Sequence, residues 1–294
     1  MRQAASATRW LVLAPWLWAC GAGLPADPNP FVDPRPVALA GYVGVAMEPA
    51  LSPDGQTLFF NDSNAPGADT DLHWATRVDD LTFSYRGPIT GANSTSLDGV
   101  PSLDRDGTLY FISLRAYGTG HRFTVHRARF ADGLVSGLEE VPGLESQGPD
   151  WVIFDAFISA DGTQLWFAEG NYATGTLGAA SLGLAVKQPS GAFLRADGGA
   201  LFREVNLFNA AQYAPAVSSD GLELFFTRLT GTGTTTAVYR SRRASAAAPW
   251  GPASAIDALV GGVIEAATPS PDGRALYYHR LGAAGFELAR VTRR

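Results

Sequence analysis

An Asp-Gly pair in matched context recurs five times along the chain, at 52-SPDGQTLFF-60, 104-DRDGTLYFI-112, 159-SADGTQLWF-167, 218-SSDGLELFF-226 and 270-SPDGRALYY-278. Successive Asp residues stand 52, 55, 59 and 52 positions apart. A repeat of this period marks an array of similar supersecondary units. Asp-Gly supplies the positive φ angles of a tight hairpin turn, and the aromatic and branched residues after it are strand formers. A short strand precedes each turn, as in 49-PALS-52, 101-PSLD-104 and 215-PAVS-218.

A second hairpin follows each turn after a polar loop. Its first arm reads 71-DLHWATR-77, 122-RFTVHRAR-129, 192-AFLRA-196, 237-AVYRSRR-243 and 286-FELARV-291. Its second arm reads 82-TFSYRGPI-89, 133-GLVSGLEEV-141, 199-GALFREV-205 and 249-PWGPASAI-256. Four short strands per repeat is the content of one propeller blade, and a blade buries both faces only by stacking on neighbours around an axis. The last repeat ends at Arg294 after its third strand, while 31-FVDPRPVAL-39 precedes the first repeat unused. The expected fold is therefore all-β, a five-bladed β-propeller of four-stranded antiparallel blades. The N-terminal strand completes the C-terminal blade and so removes an open sheet edge. A six-bladed ring with a degenerate blade in 168–212 is the rival count, but that region aligns better as one blade with an insertion at 171–191.

Pro-Ala-Leu-Ser-Pro-Asp-Gly, an aromatic strand and an arm ending in Arg together resemble the WD40-like β-propeller repeat of the TolB type, over residues 31–294. That repeat implies a propeller and says little about activity; its bearers include periplasmic scaffolds and propellers attached to peptidases, and no peptidase domain fits in this length. The start of the chain carries its own signal. Arg2 and Arg9 precede the apolar 10-WLVLAPWLWA-19, which is too short to span a bilayer, and Cys20, the sole cysteine, follows. Leu17-Trp18-Ala19-Cys20 resembles the bacterial lipobox, with Trp18 where that motif has a small or branched residue. The resemblance implies a lipoprotein signal peptide over 1–19, lipidation of Cys20, a tether over 20–30 with the Pro-rich 24-LPADPNP-30, and a propeller domain over 31–294. Gly21 then implies transfer to the outer membrane, facing the periplasm or the cell surface. One thiol permits no internal disulfide.

A net charge of −6 among 294 residues argues against nucleic-acid binding and against broad attraction to anionic lipid, so membrane contact is expected through the lipid anchor alone. The chain has no Gly-x-Ser-x-Gly nucleophile elbow. The loop 231-GTGTTT-236 lacks the Lys of a phosphate cradle, and 191-GAFLRADGG-199 reads as a hairpin turn. His73, His121, His126 and His279 show no metal-ligand spacing and read as surface or loop positions. Asp54, Asp106, Asp161, Asp220 and Asp272 read as structural turn residues. Arg115, Arg228 and Arg280 follow the second strands and read as loop or blade fasteners.

The strand before each Asp-Gly turn is expected to line the central channel. Just upstream stand Glu48, Asp98, Asp155 and Glu265, candidate ligand-binding acids together with Tyr213. Glu48 and Asp155 share one offset from the turn, whereas Asp98 and Glu265 do not, so the four are not all expected to face one point. Trp151 and Tyr42 lie near the same strand ends and offer an apolar platform with Tyr213. No catalytic residue, metal ligand or cofactor is assigned; a cation held by the channel acids is the one bound species these residues suggest. The leading expectation is a non-catalytic envelope lipoprotein presenting a propeller to a protein or ligand, with an envelope protein or glycan as partner. The alternative is a glycosidase-like enzyme or carbohydrate-binding module using the channel acids.

Overall fold

The computed structural model describes residues 30–65, 67–118, 120–196, 198–208, 210–230 and 235–294. Cys20, the leader 1–19 and the tether up to residue 29 lie outside these residues. Five sheets, each built from one repeat, form a five-bladed β-propeller. The first, second and fourth blades start with Met47–Leu51, Asp98–Leu103 and Gln212–Val217. The third and fifth start with Trp151–Ile158 and Ile264–Pro269. In each blade the Asp-Gly turn joins this inner strand to the aromatic strand, as Thr57–Asn61 follows in the first.

The turn chemistry is local. Ser52, Ser159, Ser218 and Ser270 donate their hydroxyls to Oδ1 of the Asp two residues on, at 2.5 to 2.6 Å. The same Oδ1 accepts the backbone N–H two residues beyond it. The Ser52 hydroxyl and the Gln56 amide hold the Asp54 carboxyl below its ordinary value. The second repeat departs from expectation. It has Asp104 where the others have Ser, and Asp104 rather than Asp106 accepts the Thr108 N–H at 2.8 Å.

The apolar runs after the turns are explained by burial on both faces. Leu58 and Phe60 pack toward the fifth blade with Ala275, Tyr277 and Leu288, while Phe59 between them packs toward the second with Leu109 and Phe111. The same alternation gives one apolar cluster at each of the five blade interfaces. A strand buried on both sides reads as continuous rather than alternating hydrophobicity.

Closure follows the expected route and adds to it. Phe31–Pro36 pairs antiparallel with Gly285–Arg293 and completes the fifth blade. The chain then crosses the seam, and Ala38–Ala40 pairs in parallel with Thr82–Pro88 at the rim of the first blade, which becomes five-stranded. One short segment therefore stitches the last blade to the first.

The third blade differs from the sequence reading. Its third strand is Ala180–Lys187, inside the stretch read as an insertion, and Phe193–Arg195 is its fourth strand rather than its third. Residues 199–205 form no strand; a short helix, Gly198–Leu201, begins there. Gly183 explains the weak strand signal, because a Cβ there would meet the Phe167 ring at 2.3 Å. Only 172–179 remains as the long loop.

Candidate functional site: the acidic ring at the channel

Each inner strand shifts register just before its turn. The bulge places the residue six before the repeat Asp against the axis: Glu48, Val100, Asp155, Ala214 and Ala266. Four of them take left-handed backbone, with φ of 51° at Glu48, 54° at Val100, 50° at Ala214 and 53° at Ala266. Such angles are costly for non-glycine residues, and most of all for a β-branched one, so the surroundings must impose them. A bulge also leaves its own N–H outside the sheet ladder.

A second column of the repeat satisfies those N–H groups. Seven residues after the repeat Asp stand Asn61, Ser113, Ala168, Thr227 and His279. Asn61 Oδ1 accepts the Val100 N–H at 3.1 Å, Thr227 Oγ1 accepts that of Ala266 at 3.0 Å, and His279 Nδ1 accepts that of Glu48 at 3.1 Å. Each bond runs from one blade to the next. The third blade has Ala168, which has no acceptor, and there Asp155 itself supplies Oδ2 to the Ala214 N–H at 3.0 Å. Between the second and third blades Ser102 Oγ accepts the Ile158 N–H at 3.2 Å instead.

The acids are woven into this ring. Because Nδ1 of His279 receives a backbone N–H, its ring proton is assigned to Nε2, which donates to Glu265 Oε2 at 3.1 Å. Tyr213 donates its hydroxyl to Glu265 Oε1 at 2.5 Å. Glu48 Oε1 accepts from Asn64 Nδ2 at 2.6 Å. Asp98 stands apart from this group: it is fully buried, pairs with Arg115 at 2.6 Å, and accepts both the N–H and hydroxyl of Ser94. Arg115, Arg228 and Arg280 fasten loops and strands, through Asp98, the Val205 carbonyl and Glu287.

Burial sets the protonation of the three axial acids. It pushes Asp155 well above the ordinary range, aided by the negative charge of Glu48. It also raises Glu48, with Glu265 adding to the effect against the opposing influence of the His279 imidazole and the Asn64 hydrogen bond. Burial would raise Glu265 too, but the hydrogen bonds from His279 and the Tyr213 hydroxyl outweigh it, so Glu265 is lowered. The Tyr213 phenol is pushed up by burial and by Glu265. Its ring lies 6.0 Å from Phe154, which lies 6.0 Å from Tyr172. Burial and the Asp155 charge push Tyr172 up to about 12. The aromatic wall is thus Tyr213, Phe154 and Tyr172. Tyr42 belongs to a separate cluster with Phe60, His73 and Tyr85, and the Trp151 carbonyl is held by Tyr117.

The axial space bordered by Glu48, Asp155 and the Pro49, Pro101 and Pro215 bulges has a volume of about 20 Å³. That is room for one water, which needs about 10–15 Å³ by the same measure. Among the described residues no group of three or more His, Cys, Asp or Glu is placed to hold a metal ion. Three of the four histidines are not surface or loop residues. His73, His126 and His279 are buried in strands, and His279 is part of the ring.

Raised acids have a signed consequence. Folded-state pKa values of Asp155 and Glu48 above the unfolded ones mean stability is favoured below the usual carboxylate pKa. It declines as pH rises through the raised values. Asp155→Asn keeps an acceptor for the Ala214 N–H without the charge, so it is expected to flatten that decline and at least match the native chain at neutral pH. Asp155→Ala leaves the buried N–H unpaired and is expected to cost about 1–3 kcal/mol. Urea unfolding across pH separates these outcomes, and equal losses in both variants would count against the assigned bond.

No family model matches the chain, and no curated protein matches it. Solved structures do. A glycoside hydrolase is 12% identical with a TM-score of 0.62, covering 89% of this chain and 92% of its own. Zg3597, a family 117 glycoside hydrolase produced by the marine bacterium Zobellia galactanivorans, is 14% identical with a TM-score of 0.54, covering 90% and 91%. A putative TolB from Agrobacterium tumefaciens is 14% identical with a TM-score of 0.50, covering 87% and 78%. At these identities the likeness is one of fold: a β-propeller architecture shared with glycoside hydrolases and with TolB.

Proposed function

We propose that the chain is a non-catalytic, lipid-anchored β-propeller of the bacterial cell envelope that presents a rigid ring to a protein or glycan partner. The observation that carries this reading is the commitment of the channel acids. Asp98 is bound by Arg115, Asp155 by a backbone N–H, Glu265 by Tyr213 and His279, and Glu48 by Asn64. The axial space beside them, about 20 Å³, has room for a water and not for a sugar ring. Glycoside hydrolysis needs two carboxylates flanking a bound sugar. The anchor is assigned to Cys20, with export by residues 1–19 and the outer membrane, periplasmic or surface side, as destination. No helix among the described residues is long and apolar enough to cross a membrane. Just before the inner strand Gln212–Val217, Phe208 is 93% exposed and Leu207 stands beside it, which supports a contact point at these two residues.

The test is crosslinking of the full chain in its native envelope. A specific partner captured by the native protein and lost with Phe208→Ser supports the reading. Capture of nothing, or unchanged capture by the variant, removes the proposed contact. Cys20→Ser is expected to abolish incorporation of a labelled fatty acid and to release the protein from membranes; unchanged labelling would end the anchor assignment.

A carbohydrate-directed enzyme or binding module is the second reading. It is favoured by the opposed protonation of the axial acids, Glu48 and Asp155 raised and Glu265 lowered, which is how an acid and a base are set apart. It requires that a glycan-cleaving activity of the native chain disappear in both Glu48→Gln and Glu265→Gln while the fold persists.

A further inference from the structure

At the opposite mouth of the channel, where the Asp-Gly turns gather, lies a cavity of about 390 Å³. That is the scale of a small-molecule site. Its wall includes Arg105, Phe157, Trp166 and Arg243, with Asp161 and Asp220 beside them. Arg243 is 4% exposed, and its guanidinium carbon lies 5.3 Å from the ring centre of Trp166 and 4.3 Å from that of Trp250.

A structural role accounts for one of its nitrogens. Arg243 Nε donates to the Gly221 carbonyl at 2.7 Å, the turn-locking bond that Arg77 and Arg293 make to Gly55 and Gly273. Those two arginines also meet carboxylates, Asp80 and Glu223. Arg243 does not: among the described residues its terminal nitrogens make no hydrogen bond and no acid pairs with it. A guanidinium on a side chain this buried is costly without a counter-ion, and stacking on two indoles offsets only part of that. The indole Nε1 of Trp166 is a second buried donor without an acceptor. The terminal nitrogens of Arg243, on the wall of a formed cavity, ask for an anion.

We propose that this mouth binds a small, singly anionic, polyhydroxylated molecule of the sugar-acid class. Its carboxylate sits on the two terminal nitrogens of Arg243, whose planar fork matches that group. Exposed Arg105 supplies a second positive charge at the rim. Asp161 and Asp220 each have Oδ1 engaged by a serine hydroxyl and a backbone N–H, and both are held ionised, which disfavours a polyanion and leaves acceptors for hydroxyls. The apolar face of the ligand rests on half-buried Phe157. This site is independent of the channel acids and of whether they carry chemistry.

Intrinsic tryptophan fluorescence reads the site directly, since Arg243 packs against two indoles. The full chain is titrated with glucuronate, glucose and inorganic phosphate. Saturable change with glucuronate, absent with glucose, is the expected result. Arg243→Lys keeps the charge but loses the fork and is expected to weaken glucuronate binding on the order of tenfold or more. Arg105→Ala, at an exposed position, is expected to weaken it less. Saturation by phosphate alone, equal responses to glucose and glucuronate, or no saturable response in the native chain would each overturn the proposal.

Discussion

Phe31→Ala is expected to lower unfolding stability by about 3–5 kcal/mol, the usual loss for a fully buried aromatic cut to a methyl. Phe31 is the first residue of the closing strand, 2% exposed and packed in the cluster between the fourth and fifth blades. Its ring meets Phe225 edge-on at 5.8 Å, and the Arg293 guanidinium lies 4.6 Å above it. The pairing beneath it, Phe31 with Arg293, is what turns five blades into a closed ring. Deleting residues 30–36 should do more than the point change. It bares the edge of Gly285–Arg293, and exposed strand edges recruit other chains. The deletion is therefore expected to aggregate, whereas Phe31→Ala keeps the native assembly state with a lowered urea midpoint. A deletion that unfolds like the native chain would contradict closure by this strand.

His279→Leu is the second large effect expected, a loss on the order of 2–5 kcal/mol at neutral pH. Leucine fills the space beside Phe286, whose ring meets His279 at 5.4 Å, so a cavity is not the cause. The loss comes from two groups stranded together, the Glu48 N–H at its left-handed bulge and the Glu265 carboxylate. Glu265 is lowered in the native fold, so its contribution is present above the unfolded carboxylate pKa and is lost as pH falls through the folded value. The gap between native and variant is accordingly widest at neutral pH and narrows in acid. His279→Gln, which retains an acceptor and a donor, should recover part of it. A pH-independent gap, or no recovery by glutamine, would detach the effect from Glu265 and from the ring.

The blades were legible because their cause is local and repeated. Asp-Gly fixes a turn, apolar runs fix strands buried on both faces, and the surplus strand at 31–39 pointed to the missing one at the C-terminus. The third blade was misread at 192–205, where a strand built around Gly183 carries little strand signal of its own. The site was legible only in part. Glu48 and Asp155 share a column and do reach the axis, and Glu265, one residue off, joins them through the bulge. Asp98 falls elsewhere because Arg115 takes it. His279 was passed over as a surface histidine. Aligning residues seven after each repeat Asp sets it beside Asn61 and Thr227, where a polar side chain has a common task. That Ala168 breaks the column, and Asp155 fills in, depends on the spacing of two blades and has no sequence signal.

Side chains of neighbouring blades, Asp155 among them, cap the bulge amides and lock the ring. Native-state hydrogen exchange at Glu48, Ala214 and Ala266 tests it most directly, since no sheet ladder protects these amides. The predicted result is protection comparable to that of the aromatic strands, lost at Ala214 in Asp155→Ala and at Glu48 in His279→Leu. Exchange at the rate of open loop amides in the native chain would contradict it.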